Sequence, residues 1–99
     1  MNQITHKTKV ELAHECTAIY YKEIERFFAK GVLILVGKDL DILDVALVVQ
    51  NDDSEQLKQW LESGKVLPVN DEYAVKWSQG ETQLLAVTVV PWLLVQEII

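Results

Sequence analysis

A small α+β domain is the fold these 99 residues favour, on three grounds. The stretch 84–95, LLAVTVVPWLLV, has Thr88 as its one polar side chain and Pro91 as its one interruption. A run that apolar, valine-rich and too short to cross a bilayer has to be buried on both faces, as a central strand is. Residues 32–36, VLILV, form a second continuous apolar run, set between Gly31 and Gly37, and predict a strand that pairs with the C-terminal one. Elsewhere the apolar residues recur at three- and four-residue intervals, the period of helices. These observations predict a long N-terminal helix, a helical middle, and a small two- or three-stranded sheet that includes a C-terminal strand over 84–90.

The helix opens at Thr8, because Thr8 and Glu11 have the spacing in which a hydroxyl and a carboxylate satisfy free amides at a helix start. Ala13, Cys16, Tyr20, Ile24 and Phe27 carry one stripe down to about Lys30, widened by Ile19, Tyr21 and Phe28, and Gly31 supplies the left-handed ending. Residues 1–7 are expected to fray. The segment 39–50 admits two readings. Ile42, Val45, Val48 and Val49 suit a strand hairpinned onto 32–36, whereas Leu40, Leu43 and Leu47 with a capping aspartate at 39 or 41 suit a helix. The helix is favoured, because Asp44 would interrupt a strand apolar on both faces.

Residues 51–54, NDDS, are turn and cap residues, and Leu57, Trp60 and Leu61 then mark one face of a short helix stopped by Gly64. Pro68 confines 65–69 to an edge or a loop. Asn70 or Asp71 caps another short helix, with Tyr73, Ala74 and Trp77 turned inward and Gly80 closing it. Pro91 has to end the last strand, kink it or sit at an edge, and 92–95 is expected to continue extended beyond it.

The length fits one domain, 1–99, with a core small enough that a second copy would help it. Nine basic against fifteen acidic side chains give a net charge of -6, and the basic ones are scattered, so nucleic acid is not an expected partner. No run reaches the roughly twenty apolar residues of a membrane span. A lone cysteine, Cys16, and the lack of an apolar signal core over 1–9 point to the cytoplasm.

Chemistry is sparsely signalled. His14, Glu15 and Cys16, with His6 upstream, are potential metal ligands, but adjacent helix positions point about 100° apart, and no metal is expected. Asp39, Asp41, Asp44, Asp52 and Asp53 form the densest acidic region; they lack the glycine and the spacing of a calcium loop, and helix capping explains them more simply. No nucleophile with a base, no glycine-rich phosphate loop and no cofactor motif is present, so no catalytic residue is assigned and no cofactor is expected. Trp60, Trp77 and Trp92, with Tyr20, Tyr21 and Tyr73, are the candidate walls of a ligand pocket, set against the commoner reading of such residues as core.

The pieces FAKGVLILV at 28–36, LDILDVA at 40–46, NDD at 51–53, WLESG at 60–64 and VVPWLLVQ at 89–96 resemble a family of small bacterial proteins, the domain of unknown function 2288. The likeness runs from Leu12 to Gln96. It implies a bacterial cytoplasmic origin and carries over no activity, cofactor or site residue. The leading expectation for function is a non-enzymatic interaction module working as a homodimer, motivated by the apolar excess over 84–99, with Ile98 and Ile99 exposed unless something covers them. The alternative is a small-molecule binding or sensor protein using the tryptophans.

Overall fold

A computed structural model describes residues 6–98. Among them the order is α1 (Lys9–Glu15), β1 (Thr17–Tyr20), a 3-10 turn (Tyr21–Glu23), α2 (Glu25–Ala29), β2 (Leu33–Val36), α3 (Ile42–Gln50), α4 (Ser54–Ser63), β3 (Val66–Pro68), α5 (Asp71–Ser78), β4 (Gln83–Val89) and β5 (Trp92–Glu97). The α+β class stands, with two corrections: the N-terminal helix is not long, and the sheet has five strands rather than two or three.

Thr8 does open α1, accepting from the Glu11 amide at 3.1 Å while Glu11 accepts from the Thr8 amide at 2.8 Å. The helix stops at Cys16, whose backbone is extended, and the chain becomes a strand. Residues 17–21, TAIYY, are β-formers apart from Ala18, and they also alternate: Ile19 and Tyr21 turn to the same core while Ala18 and Tyr20 stay exposed. The three- and four-residue stripe that predicts a helix through this region is therefore only half of its pattern. Pairing decided the outcome, because β1 hydrogen-bonds the outer edge of β4 in the register Thr17 with Ala86 and Ile19 with Leu84.

The sheet order is β1-β4-β5-β2-β3, antiparallel except where β2 and β5 run parallel. Here lies a third correction. The strand beside β2 is not 84–90 but β5, with Leu33 opposite Leu93 and Leu35 opposite Val95. Residues 92–95 are extended beyond the proline, as expected, but the chain reverses there into a hairpin in which Val89 faces Trp92 and Val90–Pro91, joined by a cis peptide, form the two-residue turn. Pro91 ends β4 because it has no amide to give the ladder.

Both faces of the sheet are covered. Leu33, Leu35, Leu84, Ala86, Leu93 and Val95 join Tyr21, Ile24, Ala74 and Trp77 in one cluster, under α2 and α5. Their chain neighbours Val36, Val87 and Leu94 point the other way and join Leu12, Ile42, Val45 and Ala46, under α1 and α3, with α4 adding Leu57 and Trp60. The helical reading of 39–50 is correct: Asp41 caps α3 by accepting from the Leu43 amide at 2.8 Å. Gly64 ends α4 in the left-handed conformation, and Asn70 caps α5 by accepting from the Tyr73 amide at 3.0 Å.

Gly37 is the most crowded of the four glycines. Its amide donates to the Lys65 carbonyl at 2.7 Å, and a β-carbon there would lie 2.9 Å from that oxygen and 3.1 Å from Asp39 Oδ1. The Asp39 side chain can swing away, but the Lys65 carbonyl is backbone leading into β3. Gly37→Ala is therefore expected to lower the urea midpoint, at a cost of about 1–3 kcal/mol, through displacement of β3 from β2.

Candidate functional site

The ends of the sheet carry the two cavities that matter. The first, about 510 Å3, opens where the chain leaves β1. One wall is Tyr20 to Glu23 with Glu25; the other is the C-terminal end of α5 and the turn after it, with Trp77, Ser78, Gly80 and Glu81.

Local structure fixes both walls. The Tyr21 amide donates to Thr82 at 3.3 Å, so the Tyr20 amide, pointing away from β4 by the alternation of an antiparallel pair, needs another acceptor. Glu23 supplies it at 3.0 Å, turning the chain into its 3-10 turn and closing part of the sheet's open edge. Tyr21 then enters the core with 4% of its surface exposed, its ring 5.7 Å from that of Trp77 and tilted by 54°. Tyr73 meets the same indole at 5.4 Å. Tyr20 stands at the mouth, 44% exposed.

Trp77 is anchored from beneath. Its Nε1 donates to Glu97 Oε2 at 3.0 Å, and Lys76 Nζ reaches the same oxygen at 3.0 Å. Burial pushes the Glu97 carboxyl upward, but the two donors outweigh it and hold the group below its usual value. A carboxyl depressed in the folded state stabilises the fold above its unfolded pKa, near 4.5, and that contribution is lost as pH falls through the lower folded value. Glu97→Gln is expected to keep an acceptor for Trp77 and to flatten the loss of stability on the acid limb, read as urea midpoints on either side of about pH 4.5. For Tyr21, burial and then the nearby Glu25 charge raise the phenol, so it stays protonated and able to donate at neutral pH.

The second cavity, about 410 Å3, lies at the β4–β5 turn, between Thr88 to Trp92 on one side and His6, Lys7, Val49, Gln50 and Asp52 on the other. Lys7 and Gln50 bind each other twice, amide to Oε1 at 3.0 Å and Nε2 to carbonyl at 2.8 Å, which ties Lys7 to α3. Residues 1–5 and Ile99 lie outside the described part.

The three tryptophans do not share a pocket. Trp77 lines the first cavity and Trp92 the second, while Trp60 packs half-buried on the opposite face of the sheet from Trp77. Tyr20 and Tyr21, which complete the first cavity, are among the aromatic residues the sequence offers as pocket walls, but they stand on β1 and the 3-10 turn rather than on the expected helix. The aspartates serve the backbone and nearby lysines. Asp41 and Asp53 cap α3 and α4, Asp44 pairs with Lys9 at 2.9 Å, Asp39 with Lys65 at 3.5 Å, and Asp52 occupies a turn at φ 55°. Among the described residues no three His, Cys, Asp or Glu side chains gather as a metal site would require.

Gln96 is a residue that sequence reasoning passed over. Though polar, it is buried in β5, and its Nε2 donates to the carbonyls of Gly37 at 2.8 Å and Leu40 at 2.7 Å, fixing the loop that leads into α3.

Fold and cavities together define a small α+β domain with an aromatic, carboxylate-rimmed pocket at one end of its sheet. The chain belongs to the family described as "Protein of unknown function (DUF2288)", whose model matches residues 7–97. It is similar to the Pseudomonas aeruginosa protein PA1075, whose structure was solved in solution by NMR, at 31% identity and a TM-score of 0.82, covering 100% of this chain and 94% of that one. No curated protein matches it.

Proposed function

We propose that the chain is a non-enzymatic binding module whose working site is the cavity between the 3-10 turn and the end of α5. The observation that carries this is the cavity itself: about 510 Å3, within the range of small-molecule sites, with Tyr20, Tyr21 and Trp77 in its walls. The lining favours binding over catalysis. It holds no histidine or cysteine, and its one serine, Ser78, donates its hydroxyl to the Val75 carbonyl at 2.9 Å. A cytoplasmic setting suits the single thiol, Cys16; no helix among the described residues is long and apolar enough to cross a membrane. The test uses a Trp60→Phe, Trp92→Phe protein, in which Trp77 alone emits. Titrated with a metabolite panel, its emission is expected to shift saturably with at least one compound; a silent panel removes the reading.

Self-association as a homodimer is the second reading. Since both faces of the sheet are covered within the chain, its support shifts to the hairpin tip, where Val90 is 86% exposed and Trp92 38% exposed beside Pro91. Light scattering across a concentration series should then give twice the chain mass, and Val90→Lys should return it to one. A monodisperse monomer at high micromolar concentration rules it out.

A further inference from the structure

We propose that the cavity between the 3-10 turn and α5 selects a small organic ammonium ion carrying a hydrogen-bond acceptor. The inference rests on the reading of that cavity as a binding site and names what it takes.

Charge gives the sign of the ligand. Glu23, Glu25 and Glu81 line the cavity against one cation, Lys22. The C-terminal end of α5, which forms the second wall, adds the negative end of a helix dipole. An anion would be repelled from such a rim.

Aromatic rings say what kind of cation. The ring face open to a ligand is that of Tyr20, 44% exposed, because Trp77, 1% exposed and with its one N–H committed to Glu97, shows the cavity only a sliver of ring. Tyr21 lies tilted beside it and Tyr20 at the mouth. Electron-rich ring faces attract alkylammonium groups, which shed water far more readily than a small metal ion does.

Tyr21 supplies the third requirement. Its hydroxyl has no hydrogen-bond partner among the described residues, although only 4% of the residue is exposed. No fully buried side-chain oxygen or nitrogen among the described residues is left unpartnered, so the sliver of Tyr21 still exposed includes that oxygen, and the residue lines the cavity. A phenol in that position can exchange its water for an acceptor on a ligand. An acceptor on the ligand would engage it.

Choline and its uncharged carbon isostere, 3,3-dimethylbutan-1-ol, separate these elements. Each is titrated into the Trp60→Phe, Trp92→Phe chain to about 50 mM at constant ionic strength, a range that captures millimolar binding. Choline is expected to change Trp77 emission saturably, and the isostere to bind roughly fivefold or more weakly. Replacing Glu25 and Glu81 together by Gln should weaken choline and spare the isostere; both carboxylates are exposed, and unchanged circular dichroism confirms the fold. Tyr21→Phe should weaken choline but leave tetramethylammonium, which has no acceptor, nearly unchanged. Equal binding of choline and its isostere overturns the cation while leaving a binding site. Failure of choline to saturate, with a hit elsewhere in the metabolite panel, also overturns the cation alone. Failure of every compound removes site and cation together.

Discussion

Trp77→Ala is expected to cost about 3–5 kcal/mol of stability, enough to unfold much of a domain whose whole margin is about 5–15 kcal/mol. The indole is 1% exposed, lies between Tyr21 and Tyr73, and is the largest side chain in the cluster beneath α5. Its removal leaves a cavity and takes away a donor from Glu97. Trp77→Phe separates the two effects, since it keeps most of the packing and loses the hydrogen bond; about 1–3 kcal/mol is expected there. Urea denaturation followed by circular dichroism reads both. A cost below about 1 kcal/mol for the alanine would mean that the indole is not the keystone of that face.

Gln96→Leu is the second large effect, and it acts through a loop rather than a void. The leucine is close to glutamine in size, so packing is nearly conserved, but the Leu40 carbonyl loses its donor and the Gly37 carbonyl keeps only the Leu40 amide at 3.2 Å. The Leu40 carbonyl left unsatisfied costs on the order of 1–3 kcal/mol. Hydrogen exchange should localise the damage: the amides of Gly37 and Leu40, which close the same loop through Lys65 and Gly37, should lose protection before those of β4. Uniform loss across the sheet would contradict this account.

How far the residues alone reveal the fold depends on how local each signal is. The helices α3, α4 and α5 are announced by aspartate or asparagine caps a few residues from the faces they orient, and the caps operate as expected. Strand β2 is announced by its own run of apolar residues. The region 16–21 carries two periods at once, and the choice between them was made by β4, more than sixty residues away, which needed a neighbour along its outer edge. Strands β4 and β5 are legible as buried but not as two, because nothing in 84–95 except Pro91 marks a turn and both hairpin arms are buried on both faces. The candidate site inherits these limits. Trp77 is visible as an inward aromatic, but its association with Tyr20 and Tyr21 depends on the strand that replaced the helix. Gln96, a glutamine at the end of an apolar run, betrays its role only once a loop from 59 residues earlier lies over it.

The position of β5 in the sheet has a consequence for synthesis. It is the last strand in chain order and the central one in space, joining the β1–β4 pair to the β2–β3 pair. Leu33 faces Leu93, 60 residues later, so at about 5–20 residues per second β2 leaves the ribosome roughly 3–12 s before its partner exists. Until β5 emerges there are two half-sheets with apolar edges turned toward nothing, the state on which chaperones act. A ribosome stalled before residue 92 should hold a protease-sensitive chain, and release of the last few residues should convert it to a resistant one in a single step.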